Sequence, residues 1–273
     1  MTIPEFQKII LSWHVKNRRD MPWRKTRNPY KILVSEIMLQ QTQVSRVTPK
    51  YKEFLKEFPT LVALAKTSDA KLLRVWQGLG YWRRARFLKA TAQAILKKHK
   101  GVFPKEPEVL EKLPGIGHYT ARAIACFAFN NAEAFLDTNI RRVYLHFFFP
   151  KRTDVPDTKV LRMAQEAVWK KNPREWHYAL FDYGAMVLKD KGINKRSQHY
   201  TKQSKFEGSF RSFRTKAMKL LLQQKENRVR SKTLDLFLKR ALKTQRAPHS
   251  AKEVIDSLLK DKLVKKSGTY FYL

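Results

Sequence analysis

The stretch Leu113-Pro-Gly-Ile-Gly117 limits what this chain can fold into more than any other. Gly115 and Gly117 stand where two helices are expected to meet in a tight turn. Glycine takes the positive φ such a turn needs, and it lets another backbone come close. Residues 120–129, rich in alanine and apolar side chains, read as the second helix. The turn formed by Leu113, Gly115, Ile116, Gly117 and His118 would then leave backbone N–H groups unpaired at the positive end of a helix dipole, which makes an anion site. The same five residues also suit a helix–turn–helix corner that holds no ligand.

The rest of the chain is patterned mainly for helices. Phe6, Ile9, Ile10 and Trp13 share one face of a helix over residues 3–16. Further helical spans are expected at 30–43, 48–58, 60–67, 70–77, 85–99, from Asp137 towards Phe148, 159–171 and 176–187. Residues 189–206 hold six Lys/Arg against one acid and few apolar residues, and read as a basic loop. Beyond Gly208, helices at 210–223, 232–243 and 248–260 precede an alternating stretch, 263–273, folded back at Ser267-Gly268. Three helices and a hairpin suggest a small winged-helix-like domain over 207–273.

The charge narrows the partners. Lys and Arg total 57 against 23 Asp and Glu, a net +34, which points to a polyanion and most simply to nucleic acid. Charge does not name the polyanion, and a ribosome-associated or membrane-surface protein is the alternative. Cys126 is the single cysteine, so no internal disulfide and no cysteine-held metal is expected. No apolar run approaches the roughly 20 residues of a membrane span. The start, Met-Thr-Ile-Pro-Glu-Phe, lacks the pattern of a secretion signal, so a cytoplasmic, nucleoid-associated place is expected.

Two carboxylates and one aromatic turn carry candidate chemistry. Glu36 interrupts the apolar run of residues 30–43; such a group either faces solvent or sits in a pocket that raises its pKa and keeps a proton near neutrality. Asp137 heads a helix. It is either a plain cap or a carboxylate that the dipole and N–H groups keep ionised beside a developing cation. Gln77-Gly-Leu-Gly-Tyr-Trp82 is followed at once by Arg83, Arg84 and Arg86, a mix that would stack on bases and hold phosphates, or simply be a packed turn with solvated arginines.

Taken together the sequence resembles the MutY-type adenine DNA glycosylases of the helix-hairpin-helix superfamily. The resemblance rests on Met21-Pro-Trp-Arg24, Pro29-Tyr30, Ser35-Glu-Ile-Met-Leu-Gln-Gln-Thr-Gln-Val44, Gly78-Leu-Gly-Tyr81, Leu113-Pro-Gly-Ile-Gly117, Tyr119-Thr-Ala121, Leu136-Asp-Thr-Asn139 and Asp182-Tyr-Gly-Ala-Met186. It covers about residues 1–187. It implies a mainly α fold with a glycosylase core over 1–206, whose six-helix module (about 24–130) and second module (1–20 with 131–206) flank a groove. It implies that Glu36 protonates the leaving adenine and helps position water, and that Asp137 stabilises the oxocarbenium-like sugar. Tyr119 and Asn139 match further active-site positions, and Arg24 and Asp182, with Trp23, match the adenine pocket. Gln41 and Tyr81 match residues that enter the DNA stack; Gln40, Thr42, Gly78, Arg83, Arg84 and the hairpin join them at the DNA. Tyr119 stands where strand-cutting relatives carry a lysine, and a phenol forms no Schiff base, so base removal without strand cleavage is expected.

The implied partner is double-stranded DNA with an A:8-oxoguanine or A:G mismatch, bound by a monomer. Alternatives are a glycosylase for another mismatched base, such as thymine in T:G, and a DNA-binding protein without catalysis. The resemblance leaves room for a monovalent cation at the hairpin. Two departures stand out. The family's iron–sulfur cysteines, at C-x6-C-x2-C-x5-C spacing, fall here on Leu188, Lys195, Gln198 and Ser204, so the cluster is expected to be absent, with Ile193, Tyr200 and Phe206 packing the loop instead. Its basic residues, Lys195, Arg196 and Lys202 among them, are expected at DNA. The second departure is that 207–273 is too short for the domain with which many relatives read the opposite base.

Overall fold

The computed structural model describes residues 1–189, 192–198, 200–201 and 205–273. Helices run in the order α1 (Ile3–Asn17), α2 (Pro29–Leu39), α3 (Val44–Glu57), α4 (Leu61–Lys66), α5 (Asp69–Trp76), α6 (Arg83–His99), α7 (Pro107–Glu111), α8 (His118–Phe129), α9 (Thr138–Phe148), α10 (Asp157–Glu166) and α11 (Pro173–Met186). They are followed by α12 (Phe210–Gln223), strand β1 (Arg228–Arg230), α13 (Ser231–Thr244), α14 (Ala251–Lys260), β2 (Lys265–Ser267) and β3 (Tyr270–Tyr272). The mainly α expectation holds. No helix among the described residues is long and apolar enough to cross a membrane.

The chain packs into two units, each made of two stretches: Met1–Glu36 with Val102–Lys202, and Ile37–Gly101 with Gln203–Leu273. In the first, α11 packs on α9 and on α1. Phe6 of α1 is fully buried and meets Tyr144, Phe148 and Trp176 at ring-centroid distances of 5.4, 5.0 and 5.4 Å. Caps set where these helices begin. Thr2 and Glu5 form a reciprocal capping box on α1, and Asn172 accepts from the Glu175 N–H at the start of α11. Pro173 at the first position of α11 starts that helix three residues before the expected Trp176, and α10 correspondingly ends at Glu166.

In the second unit α4 packs on α6, and α3 on α5. Helices α12, α13 and α14 pack on one another beside a three-stranded antiparallel sheet of order β1-β3-β2. Strand β1 went unread in the sequence because Arg228-Val-Arg230 is too short to show a period. Residues 205–273 join the 37–101 segment through arginines: Arg74 donates to Asn227 Oδ1 at 2.7 Å, Arg83 pairs with Asp261 at 3.4 Å, and Arg86 donates to the Lys262 carbonyl. This division differs from the boundary read at 206/207, because those arginine partners lie over 150 residues away.

Candidate functional site

Helix α2 is apolar nearly all round, with Ile32, Leu33, Val34, Ile37 and Met38 buried. Glu36 sits among them and is only 5% exposed, so the pocket reading holds and the solvent reading falls. Tyr119, on the first turn of α8, donates its hydroxyl to Glu36 Oε2 at 3.2 Å. Burial pushes the Glu36 carboxyl from 4.5 up to about 7; the Tyr119 hydrogen bond and the Arg24 charge oppose the rise, and the Asp137 charge adds to it. Near neutrality a large share of Glu36 therefore holds its proton. The Tyr119 phenol, raised by burial first and then by the Glu36 charge, stays neutral and remains a donor.

Asp137 caps α9. Its Oδ1 accepts from the N–H groups of Asn139 at 2.9 Å and Ile140 at 2.7 Å, and its Oδ2 accepts from Asn139 Nδ2 at 3.0 Å. Each of these bonds favours a carboxylate over a carboxylic acid. Burial is the largest influence and raises the Asp137 pKa above its ordinary 3.8, against the pull of the Ile140 and Asn139 N–H groups, the Asn139 amide and Arg141. One glycine sets the surroundings. A Cβ on Gly184 of α11 would lie 2.4 Å from the Asn139 carbonyl oxygen, so a larger residue would push α11 off the start of α9. Arg142 then bridges the two helices, donating to the Gly184 carbonyl at 2.7 Å.

Arg24 and Asp182 meet as a fork. Arg24 donates to Asp182 at 2.7 and 2.9 Å, and its guanidinium lies 4.4 Å from the centre of the Tyr178 ring. Asp182 is fully buried and also accepts from Arg19 Nε at 2.5 Å. Burial raises its pKa, but Arg24 and Arg19 pull harder and hold it below the usual carboxylate range. Trp23 is buried beside Arg24 in the chain. Sequence reading missed Arg174, which ties this segment in place by donating to the carbonyls of Arg24 at 2.8 Å, Thr26 at 2.7 Å and Phe127. Its partners lie 47 to 150 residues away, so no local pattern marks it.

At the hairpin Gly115 takes φ 73°, as expected, while Gly117 does not need glycine's freedom: it is the N-cap of α8 at φ −99°. No side chain caps this helix. Leu113 and Ile116 are buried under the turn, and Gly115, Gly117 and His118 are exposed.

The second unit holds the other expected contacts. Helix α2 ends at Leu39 rather than residue 43, because Gln41 enters the left-handed region at φ 52°. Tyr81 does the same at φ 45°, after Gly78 at 98° and Gly80 at 66°. Gln41, Gly78 and Tyr81 are exposed, and Gln40 and Thr42 are half-buried. Arg84 was expected at phosphate; the structure corrects this. Arg84 is 8% exposed and donates to the carbonyls of Ile37 and Met38 at 2.9 Å, Gln40 at 2.5 Å, Leu79 at 3.0 Å and Gly80 at 3.3 Å, and to Thr42 Oγ1 at 3.0 Å. It holds both tips. Arg83 is exposed, paired with Asp261.

The loop at cluster spacing does not fit a metal cluster. Leu188 is apolar and 1% exposed, Lys195 is an exposed cation, Gln198 offers no thiolate, and Ser204, like Lys202, lies outside the described residues. Among the described residues there is no group of three or more His, Cys, Asp or Glu placed to hold a metal. Cys126 is buried beside His177, at 3.5 Å from Nδ1. Ile193 packs as expected at 6% exposure, but Tyr200 and Phe206 are 46% and 49% exposed and do not. The hold comes instead from the bridge between Val155 and Ser197 and from Arg196, which donates to the carbonyls of Phe149 at 3.0 Å and Pro150 at 2.5 Å past the end of α9. Arg196 thus has a structural role.

Residues 34–171 match the family model of the HhH-GPD superfamily base excision DNA repair protein. An adenine DNA glycosylase of Buchnera aphidicola subsp. Baizongia pistaciae is 39% identical over 189 residues, 68% of this chain and 54% of the relative. One of Mycobacterium tuberculosis is 46% identical over 135 residues, 49% of this chain and 44% of the relative. The chain thus spans about half the length of these curated relatives. Among solved structures, a thermostable thymine-DNA glycosylase superposes with a TM-score of 0.63 at 27% identity, covering 71% of this chain and 94% of that one. The matched residues span half of the chain and include Glu36, Tyr119 and Asp137; the chain belongs to the HhH-GPD superfamily of base excision DNA repair proteins.

Proposed function

We propose that this chain is a monofunctional adenine DNA glycosylase that hydrolyses the N-glycosidic bond of adenine opposite 8-oxoguanine or guanine in duplex DNA. The observation that carries this reading is Glu36: a buried carboxyl titrating near 7, hydrogen-bonded by Tyr119 and within the field of Asp137. The Glu36 proton passes to a ring nitrogen of adenine as the bond from C1′ to the base breaks and its electron pair leaves with the base. The flipped-out sugar becomes cationic, and the Asp137 carboxylate, fixed at the head of α9, stabilises that cation. Water adds to C1′ and yields its spare proton to the Glu36 carboxylate. No amine takes part, because Tyr119 occupies the place a lysine would need.

In this reading the enzyme works as a monomer in the cytoplasm on nucleoid DNA and carries no iron–sulfur cluster. The hairpin before α8 grips a phosphate, with room for a monovalent cation, and residues 207–273 act as a winged-helix-like domain. Release of free base from A:8-oxoguanine, A:G and T:G duplexes, each measured before and after alkali, tests it. Adenine release with strand breaks only after alkali is the expected result. Thymine release alone would favour the second reading, which the likeness to a thymine-DNA glycosylase motivates; binding without any release would favour a non-catalytic DNA-binding protein.

A further inference from the structure

The small sheet of the second unit has two unlike faces. Its register sets Arg228, Tyr272 and Lys265 in one row, Val229, Phe271 and Lys266 in the next, and Arg230, Tyr270 and Ser267 in the third. Alternate rows point to opposite faces. The middle row faces the helices, with Val229 and Phe271 buried. The two outer rows share the other face, where Arg228, Arg230 and Lys265 are exposed and Tyr270 and Tyr272 are half-buried. The tyrosines form a stripe along the central strand, with the arginines on one flank and the lysine on the other. Arg230 Nε donates to the Tyr270 hydroxyl at 3.1 Å, and the guanidinium carbons of Arg228 and Arg230 lie 5.1 and 5.9 Å from the centre of that ring.

Neither outer row contains a carboxylate. Among the described residues, two acids act on these cations: Glu226, 3.0 Å from Arg228 and well exposed, and Asp69 of α5, which feels Lys265 but is already engaged by Lys89 at 2.6 Å and Arg86 at 3.5 Å. Like charges crowded on three short strands repel one another, and cross-strand pairing does not offset that repulsion here. A polyanion does. Same-face rows lie roughly 7 Å apart, and a duplex strand carries one phosphate for every ~3.4 Å of helix axis, so the two rows can reach separate phosphates.

We propose that this face binds the sugar–phosphate backbone of duplex DNA, with Arg228, Arg230 and Lys265 on phosphates and the Tyr270 and Tyr272 hydroxyls and rings against the backbone between them. The contact is sequence-independent and lies outside the groups that perform base removal; it rests on the reading of the chain as a DNA-repair enzyme only in naming DNA as the polyanion. Binding of the full chain to a mismatch-free duplex of roughly 20 base pairs, followed by fluorescence anisotropy across NaCl concentrations, tests it. The triple variant Arg228→Ser, Arg230→Ser, Lys265→Ser is compared with a charge-matched control, Lys97→Ser, Lys98→Ser, Lys170→Ser, and both are checked by circular dichroism for an unchanged fold.

The sheet variant should lose about 2.7 from the slope of log affinity against log salt, so that its deficit shrinks about 40-fold between 50 and 200 mM. The control should keep the parent slope. An unchanged slope in the folded sheet variant, or an equal loss in the control, overturns the proposal, as does a larger loss with a single-stranded oligonucleotide than with the duplex. A slope loss in the sheet variant together with no base release by the parent would refute the glycosylase reading and leave this one standing.

Discussion

Replacing Glu36 with glutamine should make the protein more stable while removing its proton donor. Glutamine keeps the shape and still accepts the Tyr119 hydrogen bond, but it has no charge to bury. In the unfolded chain the Glu36 carboxyl titrates at 4.5, and in the folded protein at about 7. The folded state therefore binds more protons between these values, and the parent loses stability as pH rises from 4.5 through 7. At about 1.4 kcal/mol per pH unit, the rise from 4.5 to about 7 amounts to about 3 kcal/mol. Below pH 4.5 the parent and Glu36→Gln should be nearly equal in stability. By pH 8 the variant should be more stable by about 3 kcal/mol, all of it gained across that window. Urea unfolding of both proteins at pH 4.5, 6 and 8 measures the difference. A difference that does not change with pH, or a variant less stable at pH 8, would refute the reasoning, because Glu36 would then not be ionising in a desolvated pocket.

Arg84→Met should cost roughly 3–5 kcal/mol, since it strips five carbonyls and the Thr42 hydroxyl of a buried charged donor and frees two left-handed turns; a loss under about 1 kcal/mol in urea unfolding would contradict this. Gly184→Ala should destabilise by about 1–3 kcal/mol and slow base release further than that loss of fold explains, because the added methyl displaces the backbone beside Asp137; release per folded molecule equal to the parent's would count against it. Arg196→Gln should lower stability by about 1–3 kcal/mol, whereas Lys195→Gln, with an exposed side chain, should leave the melting temperature within error; equal melting temperatures for the two variants would remove Arg196 from its place at the end of α9.

The helices were legible where apolar periodicity and caps act locally. Phe210–Gln223 was read to the residue, and the Asp137 cap was visible as Asp-Thr-Asn. Glu36 was visible as a carboxylate in an apolar run, but periodicity alone could not tell pocket from solvent; the neighbours that decide it, Tyr119 and Asp137, come from 83 and 101 residues further along. Arg84 read as a surface cation beside an aromatic turn, because nothing within its own helix reveals that most of its acceptors lie at the end of α2 and on the turn after it. Gly184 stood within a recognised motif without a role, since what it makes room for is the backbone of another helix. The rise in the Asp137 pKa was not legible for the same reason: a cap is local, whereas desolvation is the sum of everything packed around it.

The central claim is that Glu36 delivers the proton that releases adenine. Single-turnover release of adenine from an A:8-oxoguanine duplex, followed from pH 5 to 9 with the parent and with Glu36→Gln, tests it most directly. The parent should hold a level rate below about pH 7 and fall about tenfold per pH unit above it, and the variant should be slower by at least about 10²-fold wherever the parent is active. A parent rate that rises through pH 7, or a variant within a few-fold of the parent, would contradict the account.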